Sequence, residues 1–275
     1  MINLLYGGNQ KAYDGMMISL ISIANNTKEP LNVFILTMNL SDVESRNQPI
    51  SNIRVEYLEE ILKRKNIESK VTLLDITDLF RQEMGHSKNI KSFYTPYTFL
   101  RLFADTLPLP DKVLYLDTDT MANGDIAPLF NKDITGYEFA GVKDNLGRFF
   151  ISPNYMNAGV LLFNLAEVRK TGLFKKAREM CNNKKMAFPD QTALNKLNKK
   201  KYFLPRCYNE QYKLRKDTVI QHFSKSIRFF PFYHTVNIKP WQVDKIHDVY
   251  HLNAYDGVLY EYLAHVANLR LKGIY

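Results

Sequence analysis

Apolar runs and amphipathic segments alternate through the first 75 residues, and this alternation limits the fold more than any other feature of the chain. Residues 2–6 (Ile-Asn-Leu-Leu-Tyr), 31–37 (Leu-Asn-Val-Phe-Ile-Leu-Thr) and 71–75 (Val-Thr-Leu-Leu-Asp) are short and apolar, as buried strands are. Between them, residues 15–24 place Met16, Leu20, Ile23 and Ala24 at helical spacing, and residues 53–65 do the same with Ile53, Tyr57, Leu58, Ile61 and Leu62. Gly7-Gly8-Asn9 turns the first strand towards its helix; Asn26 and Pro30 end that helix. A β-α-β-α-β series predicts an α/β domain with a mainly parallel central sheet and right-handed crossovers. The glycine turn matches neither the dinucleotide fingerprint nor a P-loop, so a plain tight turn is the simpler reading of Gly7.

The segment Lys112-Val-Leu-Tyr-Leu-Asp-Thr-Asp119 adds chemistry to that scaffold. Residues 113–116 read as a buried strand, and Asp117 and Asp119 follow at its end, where open α/β sheets gather their ligands. Two acids one residue apart cannot share a dry site without a counter-charge. A hard divalent cation, Mg²⁺ or Mn²⁺, with a bound diphosphate satisfies both.

The remaining chain supplies further candidates. Residues 87–92 are polar and read as loop. Residues 97–106 read as a helix whose Arg101 either pairs with Asp105 or points at a phosphate. A short helical turn at 126–130 and a strand at 136–142 lead to Lys143-Asp144. Asn157-Ala158-Gly159 opens a central strand over 160–163; small residues there let a ligand approach the backbone, although a turn uses the same residues. Residues 165–182 read as one amphipathic helix. Pro189-Asp190-Gln191 starts another, with Asp190 as a candidate N-cap. A late strand at 218–223 presents His222; His234 and Lys239-Pro240-Trp241 follow. Residues 242–275 are aromatic and helical, an extension expected to pack on the domain of residues 1–241 through Tyr260, Tyr262, Leu263, Val266 and Leu269.

Composition bounds the partners. Across 275 residues, 37 Lys and Arg oppose 28 Asp and Glu, a net charge of +9 that suits a phosphate ligand, an acidic lipid surface or simple solubility. The lysines are not interleaved with a stacking aromatic motif, which argues against nucleic acid. The first residues lack the basic region and long apolar core of a signal peptide. No run approaches the roughly 18 apolar residues of a membrane span. With only Cys181 and Cys207, neither a disulfide framework nor a four-cysteine zinc site can form, and a cytoplasmic, reduced protein is expected.

Four pieces in this order, Lys112–Asp119, Asn157–Asn164, Pro189-Asp-Gln191 and Lys239-Pro-Trp241, resemble family 8 glycosyltransferases, the group of glycogenin and bacterial lipooligosaccharide galactosyltransferases. The resemblance spans residues 2–241. It implies a single GT-A-type nucleotide-sugar-binding domain, a UDP-sugar donor, Mn²⁺ or Mg²⁺, and hexose transfer to a glycan, glycolipid or glycoprotein acceptor with retained configuration. Carried onto this chain, it implies that Asp117 and Asp119 bind metal, with His222 or His234 as third ligand. Lys239 would meet the diphosphate, Arg101 the donor phosphate or sugar, and Gly7 and Asn9 the uracil. Asn157, Ala158, Asp190 and Gln191 would line the sugar pocket beside Asp144, with Gln191, Asp190 and Lys239 as catalytic candidates. Two features depart from the family pattern. Asn9-Gln10-Lys11 stands where an acid and an Asn-Tyr pair are usual, and residues 225–238 read as a loop inserted between His222 and Lys239. Another metal-dependent nucleotide enzyme, or an inactive sugar-nucleotide-binding module, would share the acidic strand end. Weak peripheral association with anionic membrane, through the basic and aromatic C-terminus, is a further expectation.

Overall fold

The computed structural model describes residues 1–90, 96–228, 232 and 234–275. Elements follow in chain order: β1 (Ile2–Gly7), α1 (Tyr13–Asn26), β2 (Leu31–Thr37), α2 (Asn52–Lys65), β3 (Lys70–Asp75) and α3 (Thr77–Met84). A 3₁₀ helix (Pro96–Phe103), β4 (Lys112–Leu116), β5 (Thr120–Ala122), α4 (Ala127–Phe130), β6 (Phe139–Lys143) and α5 (Gly147–Phe150) come next. Then come β7 (Met156–Asn164), α6 (Leu165–Thr171), α7 (Leu173–Asn183), α8 (Pro189–Leu197) and β8 (Tyr202–Phe203). Last are β9 (Ile220–His222), β10 (Ser226–Arg228), β11 (His234–Val236), α9 (Val243–Tyr250) and α10 (Asp256–Leu271).

The central sheet has the order β3-β2-β1-β4-β7-β6-β8. It is mainly parallel, as the alternation predicts; β7 alone runs against its neighbours β4 and β6. Because side chains alternate across a strand, β4 sends Leu114 and Leu116 into one core and Val113 and Tyr115 into the other. The first core packs under α1, α2 and the C-terminal helices, the second under α3, the 3₁₀ helix and α6–α8. Two smaller ribbons stand off the sheet. In one, β5 pairs antiparallel with β9 so that Thr120 lies opposite His222; in the other, β10 pairs with β11.

Several local expectations change. The 3₁₀ helix replaces the α-helix expected over 97–106: it is apolar and buried on almost every side, so packing rather than a single apolar stripe sets its winding. The expected helix over 165–182 breaks at Gly172, whose φ of 67° favours glycine. The expected insertion at 225–238 contains the β10–β11 ribbon, not loop alone. Ile53, expected on the apolar face of α2, is exposed. Residues 91 and 92 of the polar stretch lie outside the described residues.

The C-terminal helices share the first core. Val258, Leu259, Tyr262, Val266 and Leu269 of α10 are buried in it, whereas Tyr260 and Leu263 face outward. No helix among the described residues is long and apolar enough to cross a membrane.

Candidate active site

A cleft of about 1220 Å³ opens at the end of the sheet where β1, β4 and β6 finish and β7 begins. Gly7, Asn9, Arg101, Asp117, Asp119, Asp144, Asn157, Gln191, His222 and Lys239 all line it. Ala158 and Asp190, expected there too, stand behind its wall. Ala158 donates its amide to Gln191 Oε1 at 2.9 Å and its carbonyl accepts from Arg101.

β4 delivers the acids, and the tight turn into β5 fixes them. The Asp117 amide donates to the Gly159 carbonyl at 2.8 Å, the Thr120 hydroxyl to the Asp117 carbonyl at 2.8 Å, and the Phe223 amide to the Asp119 carbonyl at 2.9 Å. Gly15 permits this turn to pack on α1, since a β-carbon there would meet the Thr118 carbonyl at 2.3 Å.

The β5–β9 pairing brings His222 to the acids. Its Nε2 lies 3.1 Å from Asp119 Oδ1 and 3.8 Å from Asp117 Oδ2, and one ligand atom from each of the three residues lies within 4.8 Å of the others. Two carboxylate oxygens and an imidazole nitrogen form a donor set that fits Mn²⁺, and Mg²⁺ less well. His222 Nδ1 faces Asn209 Oδ1 at 3.2 Å, a contact that leaves Nε2 turned to the acids with its lone pair. Burial disfavours the charged imidazole, but Asp119 and Asp117 outweigh it and raise its pKa. Burial likewise opposes the Asp119 carboxylate, and Lys239 and His222 reverse that effect, driving its pKa well down. Lys239 Nζ bonds both Asp119 Oδ2 and the Phe223 carbonyl, 2.8 Å away. His234, the alternative third ligand, begins β11; its side chain lies outside the described residues.

Arg101 does not pair with Asp105, which binds Arg178 instead. Buried itself, it reaches Asp117 Oδ1 at 2.9 Å and Asp190 Oδ2 at 3.3 Å, and its guanidinium lies 4.2 Å from the Tyr115 ring centre. Tyr115 donates to the same Asp117 oxygen at 2.7 Å. Asp190 is therefore not a helix cap but the second residue of α8, turned inward to a counter-charge. Desolvation raises its pKa, with Arg101 opposing.

A polar chain links His222 to Gln191 through Asn209, Asn157 and Asp144. Asn209 Nδ2 donates to Asn157 Oδ1 at 2.9 Å, Asn157 Nδ2 to Asp144 Oδ2 at 2.8 Å, and Gln191 Nε2 to the same oxygen at 3.2 Å. Asp144 Oδ1 accepts the amides of Leu146 and Gly147 at 3.0 and 2.6 Å. Asn9 accepts from the Lys11 amide at 3.1 Å, which shapes the loop after β1. Asn209 and Tyr115 escaped the sequence reading: one is a lone asparagine in a turn, the other an aromatic inside an apolar strand.

Residues 3–245 match the family model described as glycosyl transferase family 8. The chain belongs to that family. A putative glycosyltransferase of Haemophilus influenzae is 26% identical over 70% of this chain and 58% of its own length. The lipopolysaccharide 1,2-glucosyltransferase of Escherichia coli is 28% identical over 87% of this chain and 72% of its own length. The first of these relatives is thus much longer than the stretch it shares with this chain. The fold of this chain is also seen in the galactosyltransferase LgtC, solved with donor and acceptor sugar analogues. That structure superposes with a TM-score of 0.68 at 16% identity, over 94% of this chain and 96% of LgtC. Within this family 8 chain, the four sequence pieces that carried the resemblance converge on one cleft, although the last is separated from His222 by the β10–β11 ribbon.

Proposed function

We propose that this chain transfers a hexose, glucose or galactose, from a UDP-sugar to a hydroxyl of a glycan, glycolipid or glycoprotein acceptor, with retained configuration and dependence on Mn²⁺ or Mg²⁺. The convergence of Asp117, Asp119, His222 and Lys239 beside Gln191 and Asp144 in one cleft carries this reading. Asp117, Asp119 and His222 would hold the metal, which when bound supplies charge neutralisation to the departing diphosphate. Lys239 exchanges its Asp119 contact for a phosphate oxygen and stabilises the charge that grows there. Arg101 and Tyr115 hold Asp117 in one orientation, so the acid does not reorganise as the donor binds.

The anomeric carbon gains positive charge as the bond to phosphate breaks, and Gln191 lines the cleft to meet it, its Oε1 also accepting the Ala158 amide. Retention needs either a covalent sugar or departure and attack on one face. Asp144 already accepts four hydrogen bonds and Asp190 is tied to Arg101, so neither carboxylate is a ready nucleophile. Attack by the acceptor on the face the diphosphate leaves fits these residues better. The glycan-building E. coli relative supports a saccharide acceptor.

The decisive experiment offers the protein a panel of UDP-sugars with and without Mn²⁺. Metal-dependent release of UDP supports the reading; release of monophosphate points to a nucleotide hydrolase, and binding without turnover to an inactive module. We further place the protein in the cytoplasm with weak, salt-sensitive attachment to anionic lipid. Tyr260, Leu263, Arg270 and Lys272 on the outer side of α10 would make the contact, each nearby cation contributing about 1 kcal/mol. Failure to sediment with anionic vesicles at low salt removes that part.

A further inference from the structure

Glu210 is a buried carboxylate with no part in the chemistry above. Its Oε1 accepts the Tyr212 amide at 3.1 Å, while Oε2 lies 3.1 Å from Arg206 Nε and 3.3 Å from Arg215 Nε. No aligned hydrogen bond reaches Oε2, so the two contacts are electrostatic and leave the guanidinium forks unspent. One acid thus holds two arginines side by side. Two like charges this close repel unless further negative charge joins them. The arginine side chains are 42% and 41% exposed, both line the cleft, and among the described residues no hydrogen bond runs from their Nη nitrogens to a protein acceptor.

Their position along the sheet edge says which ligand they serve. From β1 the cleft passes Gly7, then Asp117 after β4, Asn157 at the start of β7, and Asp144 after β6. Gln211, next to Glu210, donates to the Lys143 carbonyl at 3.0 Å and accepts the Asn145 amide at 2.9 Å. The arginine pair therefore stands by the end of β6, three strands from the loop at Gly7 and on the far side of Asp144 and Gln191. The cleft also exceeds the ~300–1,000 Å³ of an ordinary ligand pocket, which leaves room for a second ligand beside the donor.

We propose that Arg206 and Arg215, held by Glu210, bind a phosphate group carried by the acceptor, so that the acceptor is a phosphorylated saccharide. The proposal rests on the transferase reading above. A phosphate offers three oxygens and close to two negative charges, enough for both forks; a carboxylate fills one. Tyr212, exposed and also lining the cleft, offers a flat face to the sugar ring that bears the phosphate.

The test is calorimetric titration with glucose 6-phosphate, glucose and glucuronate, on protein saturated with UDP and Mn²⁺ so that the donor's diphosphate site is filled. Glucose 6-phosphate binds in preference to both others, and the double variant Arg206→Gln/Arg215→Gln binds it about tenfold or more weakly, the loss expected for removed charge-assisted hydrogen bonds. The double variant leaves Glu210 without its counter-charges and melts earlier, so circular dichroism at the titration temperature verifies the fold, and the single variants, which keep one arginine on Glu210, are titrated beside it. Equal binding of glucuronate overturns the assignment to phosphate. Absent binding of glucose 6-phosphate, or unchanged binding by the double variant, overturns the site itself. Should the wild type turn over no UDP-sugar, the transferase reading fails, while the same titration, run if necessary on the free protein, still decides the arginine pair.

Discussion

Gly159 and His222 occupy adjoining space so closely that a β-carbon on the glycine would meet the imidazole Cε1 at 2.1 Å. The first residues of β7 thus set the position of an imidazole that arrives on β9. Gly159→Ala should push His222 off the acids and weaken Mn²⁺ binding about tenfold, in line with lost support of a ligand. Titration of Mn²⁺ reads this directly; wild-type affinity in the variant would show that the imidazole has another place to go.

Asp119→Asn should abolish metal-dependent turnover while the fold survives, because the turn that carries Asp119 is held by backbone hydrogen bonds, the Phe223 amide to the Asp119 carbonyl among them. Circular dichroism and UDP release, measured together, check both halves. Full turnover by this variant, or by wild type in excess chelator, would remove the metal from the mechanism.

Gln191 and Asp190 are neighbours with opposite expected phenotypes. Gln191→Ala should lower turnover by about tenfold or more at a stability cost near 1 kcal/mol, since it frees one backbone amide. Asp190→Ala leaves a buried arginine with less counter-charge and should cost about 3 kcal/mol in urea unfolding. Equal stability of the two variants would contradict the division between a cleft-lining group and a buried ion pair.

The tail should respond to acid through His265. Its imidazole contacts the Tyr57 hydroxyl at 3.0 Å, joining α10 to α2. Burial, aided by Arg64 and Lys65 and opposed by Glu261, holds its pKa below the ordinary 6.5. The unfolded chain therefore takes up this proton at higher pH than the folded one. The stability His265 supplies is complete above 6.5 and is lost as pH falls through the folded value. Melting temperatures of wild type and His265→Gln should diverge less at pH 5 than at pH 7.5. A constant difference across that range would show that His265 does not titrate with folding.

Local periodicity made the scaffold readable and long-range pairing hid parts of the site. The strands at β1, β2 and β4 are apolar enough that sequence alone locates them, and β4 announces Asp117 and Asp119 by its end. Of the two readings of Arg101, helical spacing suggests the Asp105 pairing; its partners, Asp117 and Asp190, are distant in sequence and adjacent only across the folded sheet edge. Asn209 gave no signal, since a turn asparagine is ordinary and its task is to orient a histidine on another strand. The break at Gly172 was hidden by apolar spacing that continues in register on both sides.

Lys239 and His222 both contact Asp119, so the segment between them is a closed loop in the polymer sense, tied at its two ends to one carboxylate. The entropy of closing such a loop grows only logarithmically, by about 0.6 kcal/mol for each doubling of length. Length in this stretch is therefore thermodynamically cheap, and the spacing between histidine and lysine can drift without moving either one. A flexible glycine-serine segment in place of residues 226–236 should leave Mn²⁺ affinity near that of the native chain. A motif defined by fixed spacing would miss such a chain, while the pair of contacts at Asp119 would still identify it.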